Sequence, residues 1–466
     1  MPLVTSVPAH RTDSPARPHS SGRTPDPARL RAIARRPAAW YAGFAVYAAC
    51  VAVFSGPGLD HWWGTWAAGG YALAAVVAAR VTARAGQVAA LVVAVTGALI
   101  APLVWLATQA PLTPDAAVVM RSGALLLRHG TPYLGPAQLA HGGWLAYDPY
   151  LPVMALFGLP KALGLPGLLG DERPWLAVAT FLLMFAAFRI SAARIAARRR
   201  APGRSPVGLA AFAMASPVLA FPLAMGITDP PVIAMICLGL ALLIPWPHAR
   251  SRGVAARTVL PAAVVLGLAC AMKYTAWPAF AVIAVMVIAR DGRRAAVAFI
   301  GAALGAALAS SATLAPAAVG SLSGLGAVAR NTIAYPLGLT AASSPAQSPL
   351  PGHFLVATFG PAGHATAIAL LALTGVVFAV SLVTMPPRTQ GGAAVRIALG
   401  LAALFALCPA SRFGYLIYPL ALFAWAALTA RPGAARRATA RLSHDAGLAW
   451  EPWRSRPEPS AGPTRA

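Results

Sequence analysis

At 466 residues, with 58% hydrophobic and only 11% charged residues, the chain has too few polar side chains to cover a water-soluble globule. A mean hydropathy of +0.67, spread along most of the chain, excludes a soluble domain with a single anchor and predicts many membrane spans. The net charge of +25 sits in tails and short loops that flank apolar runs. That pattern sets membrane orientation and points to anionic lipid head groups, not to nucleic acid.

Residues 1–37 are rich in Pro, Ser and Arg without an apolar run or a cleavage site, and read as a disordered cytoplasmic tail. A membrane domain follows over 38–430. Its apolar runs lie at 38–55, 66–81, 88–108, 174–190, 206–224, 227–245, 258–272, 274–289, 295–316, 365–384, 395–409 and 413–429. Some are so short that broken or re-entrant helices enter the reading. Arginines at Arg80, Arg84, 189–204, 250–257, 290–294, Arg388 and Arg396 place their loops in the cytoplasm. The expectation is an all-α, polytopic transmembrane helical bundle of about twelve spans in a plasma membrane, with both termini cytoplasmic. Counting 150–169 as a span would put the Arg198–Arg200 cluster outside, so it reads as a re-entrant or surface-lying helix broken by Pro160 and Pro166. Two longer external segments remain, 109–172 and 320–364. The arginine-bearing end, 431–466, reads as a second disordered cytoplasmic tail. Cys50, Cys237, Cys270 and Cys408 lie in apolar segments at unrelated spacings, which indicates inert thiols, with neither disulfides nor a metal site.

Carboxylates are scarce: Asp60, Asp115, Asp148, Asp171, Glu172, Asp229 and Asp291 stand between the first and last spans. Asp291 among Arg290, Arg293 and Arg294 reads as a surface charge pair, and Asp171 and Glu172 beside Arg173 as loop charges. Asp115, Asp148 and Asp229 fall at the external face beside apolar segments, where carboxylates are costly and the usual reason to keep them is a ligand, an ion path or proton chemistry. Thr113 and Pro114 form a helix start, and spacing puts Asp115, Ser122 and His129 on one strip of a helix running to about Arg128. Asp115 then has two readings, a charge complementing the helix dipole or a functional base. Asp229 in Gly226-Ile227-Thr228-Asp229-Pro230 and Asp148 in Tyr147-Asp148-Pro149-Tyr150 are also ordinary turn chemistry. The only lysines are Lys161 and Lys273; Lys273 and Arg412 fall within or outside the bundle against the positive-inside trend, as snorkelling anchors or as an anion site for a lipid phosphate. His353 and His364 lie in or near the second external segment, where surface positions are the ordinary reading. No phosphate-binding loop, dinucleotide fingerprint, zinc motif or nucleophile elbow stands in the right context.

The order of these pieces resembles the GT-C superfamily of polyprenyl-phosphate-dependent glycosyltransferases, particularly the actinobacterial family 87 mannosyltransferase-like proteins. The resemblance rests on Asp115 opening a helix, Gly130-Thr131-Pro132-Tyr133, Tyr147-Asp148-Pro149-Tyr150-Leu151-Pro152, Gly226-Ile227-Thr228-Asp229 and Lys273, and covers roughly 113–418. Ile227 stands where that family's turn carries glutamine, and Tyr150 interrupts its paired prolines. The resemblance implies a GT-C bundle with external surface or re-entrant helices. It also implies transfer of a hexose, mannose first, from a flipped polyprenyl-phosphate sugar to a lipid or glycan acceptor on the external face. Asp115 would be the general base, Lys273 and Arg412 would hold the donor phosphate, and Asp148, Tyr147, Asp229 and His353 would contact substrate, with neither metal nor cofactor. The rivals are a proton-coupled secondary transporter, whose site would lie near the midplane between repeated halves, and a catalytically inactive lipid-binding homologue.

Overall fold

The computed structural model describes residues 37–81, 83–199, 205–245 and 252–429. Both expected tails lie outside the described residues, except Pro37, which opens the first helix; the last helix closes at Thr429, within the expected membrane domain. Among the described residues the fold is all-helical, with one isolated bridge between Gln347 and Ser411. In chain order the longer helices are α1 (Pro37–Phe54), α2 (Leu59–Arg80), α3 (Arg84–Gln109, with a π turn at Thr96–Ile100) and α4 (Pro114–His129). Then come α5 (Glu172–Arg199), α6 (Pro206–Ala215), α7 (Pro217–Met225), α8 (Asp229–Leu242) and α9 (Arg252–Met272). The chain ends with α10 (Trp277–Asp291), α11 (Arg293–Leu314), α12 (Leu322–Ala329), α13 (Pro351–Thr384), α14 (Gln390–Leu407) and α15 (Ile417–Thr429).

Among the described residues, seven helical stretches are long and apolar enough to cross a membrane, or eight if α6 and α7, bent by 64° at Ser216, make one span. This is a multi-pass membrane protein. Each of the twelve predicted apolar runs is helical. The difference from twelve lies in α8, the apolar part of α9, and α15, which are shorter, and in α2, which is 22 residues long but carries Asp60, His61 and several glycines. Within α13, Gly360 (φ 55°, ψ −130°), a conformation that favours glycine, separates a short helix that begins at Pro351 from the longer one that carries the span expected to begin near residue 365.

Two further expectations change. Pro160 does not break the 150–169 segment, since it occupies the first turn of a one-turn helix, Leu159–Ala162, where a missing N–H costs nothing. The break comes after it, through Gly164 at φ 86°, with Pro166 preceding a second one-turn helix, Gly167–Gly170. The acidic pair expected as loop charges is buried: Asp171, Glu172 and Arg173 are 6%, 0% and 0% exposed. Glu172 packs against the Gly226 turn instead of reaching water, and Arg173 Nη1 stands 3.6 Å from Asp171 Oδ2. Asp291 pairs with Arg290 at 2.6 Å near the surface.

Helix α4 starts where the sequence places it. Thr113 caps it by accepting from Ala116 N–H at 3.3 Å, Pro114 fills the first turn, and Gly130 closes it in the left-handed region. Its apolar face lies on a 3-10 stretch, Pro152–Gly158, at a contact between two glycines. A Cβ on Gly123 would sit 2.3 Å from the Gly158 carbonyl carbon, and one on Gly158 would sit 2.1 Å from Val119 O. Gly123→Val must therefore push α4 off its bed, and is expected to cost about 1–3 kcal/mol of stability. Thermal unfolding of the purified protein in one detergent checks this. Gly301→Ala, with nothing within 4 Å of its new Cβ, should leave the transition unchanged.

Candidate functional site

Five chain breaks meet at one end of these helices: the start of α4, the irregular segment before Pro152, the α9–α10 junction, the connection between α12 and α13, and the α14–α15 junction. Between them lies a narrow, half-open cleft, about 660 Å³ only when the open solvent at its mouth is included, into which Asp115, Tyr147, Lys273 and Arg412 all project. Five of the thirteen other residues of its wall are aromatic: Trp144, Tyr150, Tyr274, Tyr335 and Tyr415.

Asp115 is held from two sides. The Tyr150 hydroxyl donates to Oδ1 at 2.5 Å, and Arg412 Nη1 stands 3.6 Å from Oδ2. Burial, then the Asp115 charge, push the Tyr150 phenol well above its usual value, so it stays a proton donor. The Thr113 hydroxyl also donates to Met225 O at 2.7 Å, which fixes the start of α4 to the end of α7. Arg412 has a clamped backbone: Ser348 N–H donates to Ser411 O at 3.0 Å and Phe413 N–H donates to Ser348 Oγ at 3.1 Å. Burial works against the Arg412 charge, but Asp115 and the tyrosines at 415, 150 and 335 outweigh it and raise the guanidinium further.

Lys273 follows the last residue of α9 and lies deeper. Its Nζ is 2.5 Å from Asp229 Oδ1 and 3.3 Å from Thr228 Oγ1, and stands over the rings of Tyr150 and Tyr415 at 5.2 and 5.7 Å. Both side chains of the pair are at most 5% exposed. Asp229 therefore sits beneath Lys273 and does not line the cleft. Its place follows from Gly226 at φ +74°, the left-handed end of α7, which turns the chain sharply into α8.

Asp148 also lies behind the wall, 2% exposed. Its Oδ1 accepts from Tyr150 N–H at 2.9 Å, its own N–H donates to Asn331 Oδ1 at 2.9 Å, and Oδ2 is 2.6 Å from Ser122 Oγ. Tyr147 beside it stacks on Tyr335, centroids 4.6 Å apart and planes within 8°. Arg121 closes the same corner by donating to Leu145 O and Ala146 O. His353 is outside the cleft, in the first turn of α13, with Nδ1 3.2 Å from Pro409 O. It braces the α13 start against the segment that leads to Arg412.

Among the described residues no group of three or more His, Cys, Asp or Glu side chains could hold a metal ion. The residue that sequence reasoning passed over is Tyr150. Its hydroxyl reaches Asp115, its ring underlies Lys273, its N–H meets Asp148 and its carbonyl accepts from Tyr133 Oη at 2.9 Å. Its only sequence signal was its place in the Tyr-Asp-Pro-Tyr turn. No protein-family model matches the chain, and no curated protein or solved structure matches it.

Burial pushes the Asp148 carboxyl up to about 6, against the bonds from Ser122 and Tyr150 and the Arg121 charge. The neutral acid suits its partners, because the Ser122 hydroxyl is 2.8 Å from Val118 O. With one proton to give, Ser122 satisfies Val118 only if Asp148 donates to Ser122. Since the folded value lies above the ordinary carboxylate value, this contribution to stability is complete below about pH 4 and is lost as pH rises through 6. The loss is on the order of 2–3 kcal/mol. Asp148→Asn, which can always donate to Ser122, should flatten that part of the curve. Denaturation midpoints at pH 4, 5, 6 and 7 for both proteins check it; parallel curves would show that Asp148 carries no such term.

Proposed function

We propose that the protein is an integral membrane glycosyltransferase of the GT-C type, transferring a hexose, mannose by resemblance, from a polyprenyl-phosphate sugar. The acceptor is a lipid or glycan at the external face of the plasma membrane, and both termini are cytoplasmic. The observation that carries this reading is the convergence of one carboxylate and two cations, from segments up to about 300 residues apart, in one aromatic-walled cleft. Aromatic faces suit the C–H faces of a sugar, and cations suit a phosphate.

On this reading Asp115 takes the proton from an acceptor hydroxyl as its oxygen attacks the anomeric carbon. The carbon–oxygen bond to phosphate breaks on the opposite side, so the configuration inverts and no covalent enzyme intermediate forms. Lys273 and Arg412 stabilise the charge that gathers on the leaving polyprenyl phosphate. Asp148, Asn331 and Ser122 support the wall, and Tyr147 and Tyr335 offer a stacked platform to the sugar. The transporter alternative would put the ionisable groups near the bilayer midplane between repeated halves. Here Asp115 stands at the start of α4, Lys273 at the end of α9 and Arg412 before α15, so the three gather at one end of the helices, which favours an interfacial enzyme.

The test is transfer of labelled mannose from polyprenyl-phosphate mannose by the protein in membranes. Asp115→Asn should lower transfer about 10²–10⁴-fold with insertion intact; full activity in that variant would remove the base assignment. The two cations should separate by stability. Lys273→Met strands a buried Asp229 carboxylate and should cost about 3–5 kcal/mol. Arg412→Gln breaks a partly exposed pair and should cost under about 1 kcal/mol while slowing transfer. Equal destabilisation by both would show that Arg412 serves as an anchor.

A further inference from the structure

The two cations of the cleft are partnered in opposite ways. Lys273 meets Asp229 at 2.5 Å with both side chains buried, a pair that cannot open without stranding a charge. Arg412 meets Asp115 through a single 3.6 Å contact, beyond hydrogen-bond length, with the side chains 37% and 25% exposed. Such a pair is weak and easily exchanged. A phosphate offers a guanidinium two parallel charge-assisted bonds, so it should win Arg412 from a carboxylate that engages one nitrogen at a distance. Asp115 does not depend on Arg412 for its position, because Tyr150 holds Oδ1 and the Thr113 cap holds the helix start.

We propose that Arg412 is a latch on Asp115, opened by the phosphate of the donor. With Arg412 paired to Asp115, the guanidinium screens Oδ2, the oxygen not engaged by Tyr150. When a phosphate enters, Arg412 swings to it, Oδ2 becomes open to an acceptor hydroxyl, and Lys273 remains as the fixed half of the phosphate site. The order of events follows: donor first, acceptor deprotonation second. A site whose base is screened until the donor is seated does not spend its carboxylate on water or on an acceptor bound alone. The latch rests on the reading of Lys273 and Arg412 as phosphate ligands, and adds to it that Asp115 competes with the phosphate for Arg412.

Competition is measurable without turnover. The full-length protein in nanodiscs is titrated with farnesyl phosphate by calorimetry, as wild type, Asp115→Asn, Arg412→Gln and the double variant, with thermal stability recorded for each. The expected result is that Asp115→Asn binds about two- to fivefold tighter than wild type, the worth of a partly exposed ion pair. Arg412→Gln should bind about tenfold more weakly, and the gain from Asp115→Asn should vanish in its background. Asp115→Ser, with the same charge loss and a smaller side chain, should behave as Asp115→Asn. An equal gain in both backgrounds would mean plain repulsion between carboxylate and phosphate, and no gain would mean no competition; either result overturns the latch and leaves the phosphate site standing. Wild-type affinity in Arg412→Gln would remove the phosphate role of Arg412 itself.

Discussion

The buried pair of Lys273 and Asp229 is the constraint on which the cleft depends. An ammonium at the junction of α9 and α10, surrounded by apolar helix ends, cannot remain charged without a carboxylate against it. That carboxylate opens α8, so the pair fixes the α7–α8 turn to the α9–α10 junction. Thr113 then ties α4 to the same turn through Met225 O, and Leu151 N–H ties the tyrosine-bearing segment to Met272 O at 2.9 Å. Replacing the pair with apolar residues of the same size need not weaken the bundle, because buried pairs often do no more than offset their own desolvation. What such a replacement loses is the alignment of three chain segments, and with it the place of Asp115.

Tyr150 passes that alignment on to the chemistry. A phenylalanine would fill the same volume, but only a phenol can donate to Asp115 while its ring face underlies an ammonium. Behind it stands a second polar group with no view of the cleft. Asp148, Ser122 and Asn331 connect the tyrosine segment to α4 and to the π turn after α12. Asn331 lies 183 residues from Asp148, so the second long connecting segment is required to complete the wall that the first one begins.

This division explains what the sequence could and could not disclose. The Thr113-Pro114-Asp115 start and the Gly226 turn depend on local backbone chemistry, and their residues announce it. The strip of Asp115, Ser122 and His129 was legible only in part: Ser122 is buried against Asp148, whereas His129 is exposed at the end of α4. Partner choice was not legible. Nothing local in Tyr147-Asp148-Pro149-Tyr150 says that the aspartate faces inward and the second tyrosine reaches Asp115, because their partners Ser122, Asp115 and Asn331 stand 26, 35 and 183 residues away. Asp171, Glu172 and Arg173 misled for the same reason: three adjacent charges look like a loop, and only the packing of the Gly226 turn over them puts them out of water. The twelve expected spans and the seven or eight that helix length and apolar content give differ at α2, α8, α9 and α15, which fall short of a lone span in length or apolar content.

Charge conservation gives the proposed chemistry a further consequence. The cleft pairs Asp115 with Arg412 and, beneath it, Asp229 with Lys273, so the charges of these two pairs cancel. A sugar phosphodiester brings one negative charge, and transfer turns it into a monoester carrying up to two at neutral pH. The extra charge appears at the moment the acceptor hydroxyl loses its proton. If Asp115 receives that proton, one carboxylate charge disappears as one phosphate charge appears, and the total in the cleft does not change. The reaction then moves negative charge across the cleft, from the Asp115 side to the Lys273 side, without adding any. In a site bordered by hydrocarbon, where each uncompensated charge costs several kcal/mol, a base paired with a cation that can follow the charge is a physically economical arrangement. Arg412, reaching Asp115 from the segment next to Tyr415, is placed to make that move, whereas Lys273, buried against Asp229, is not.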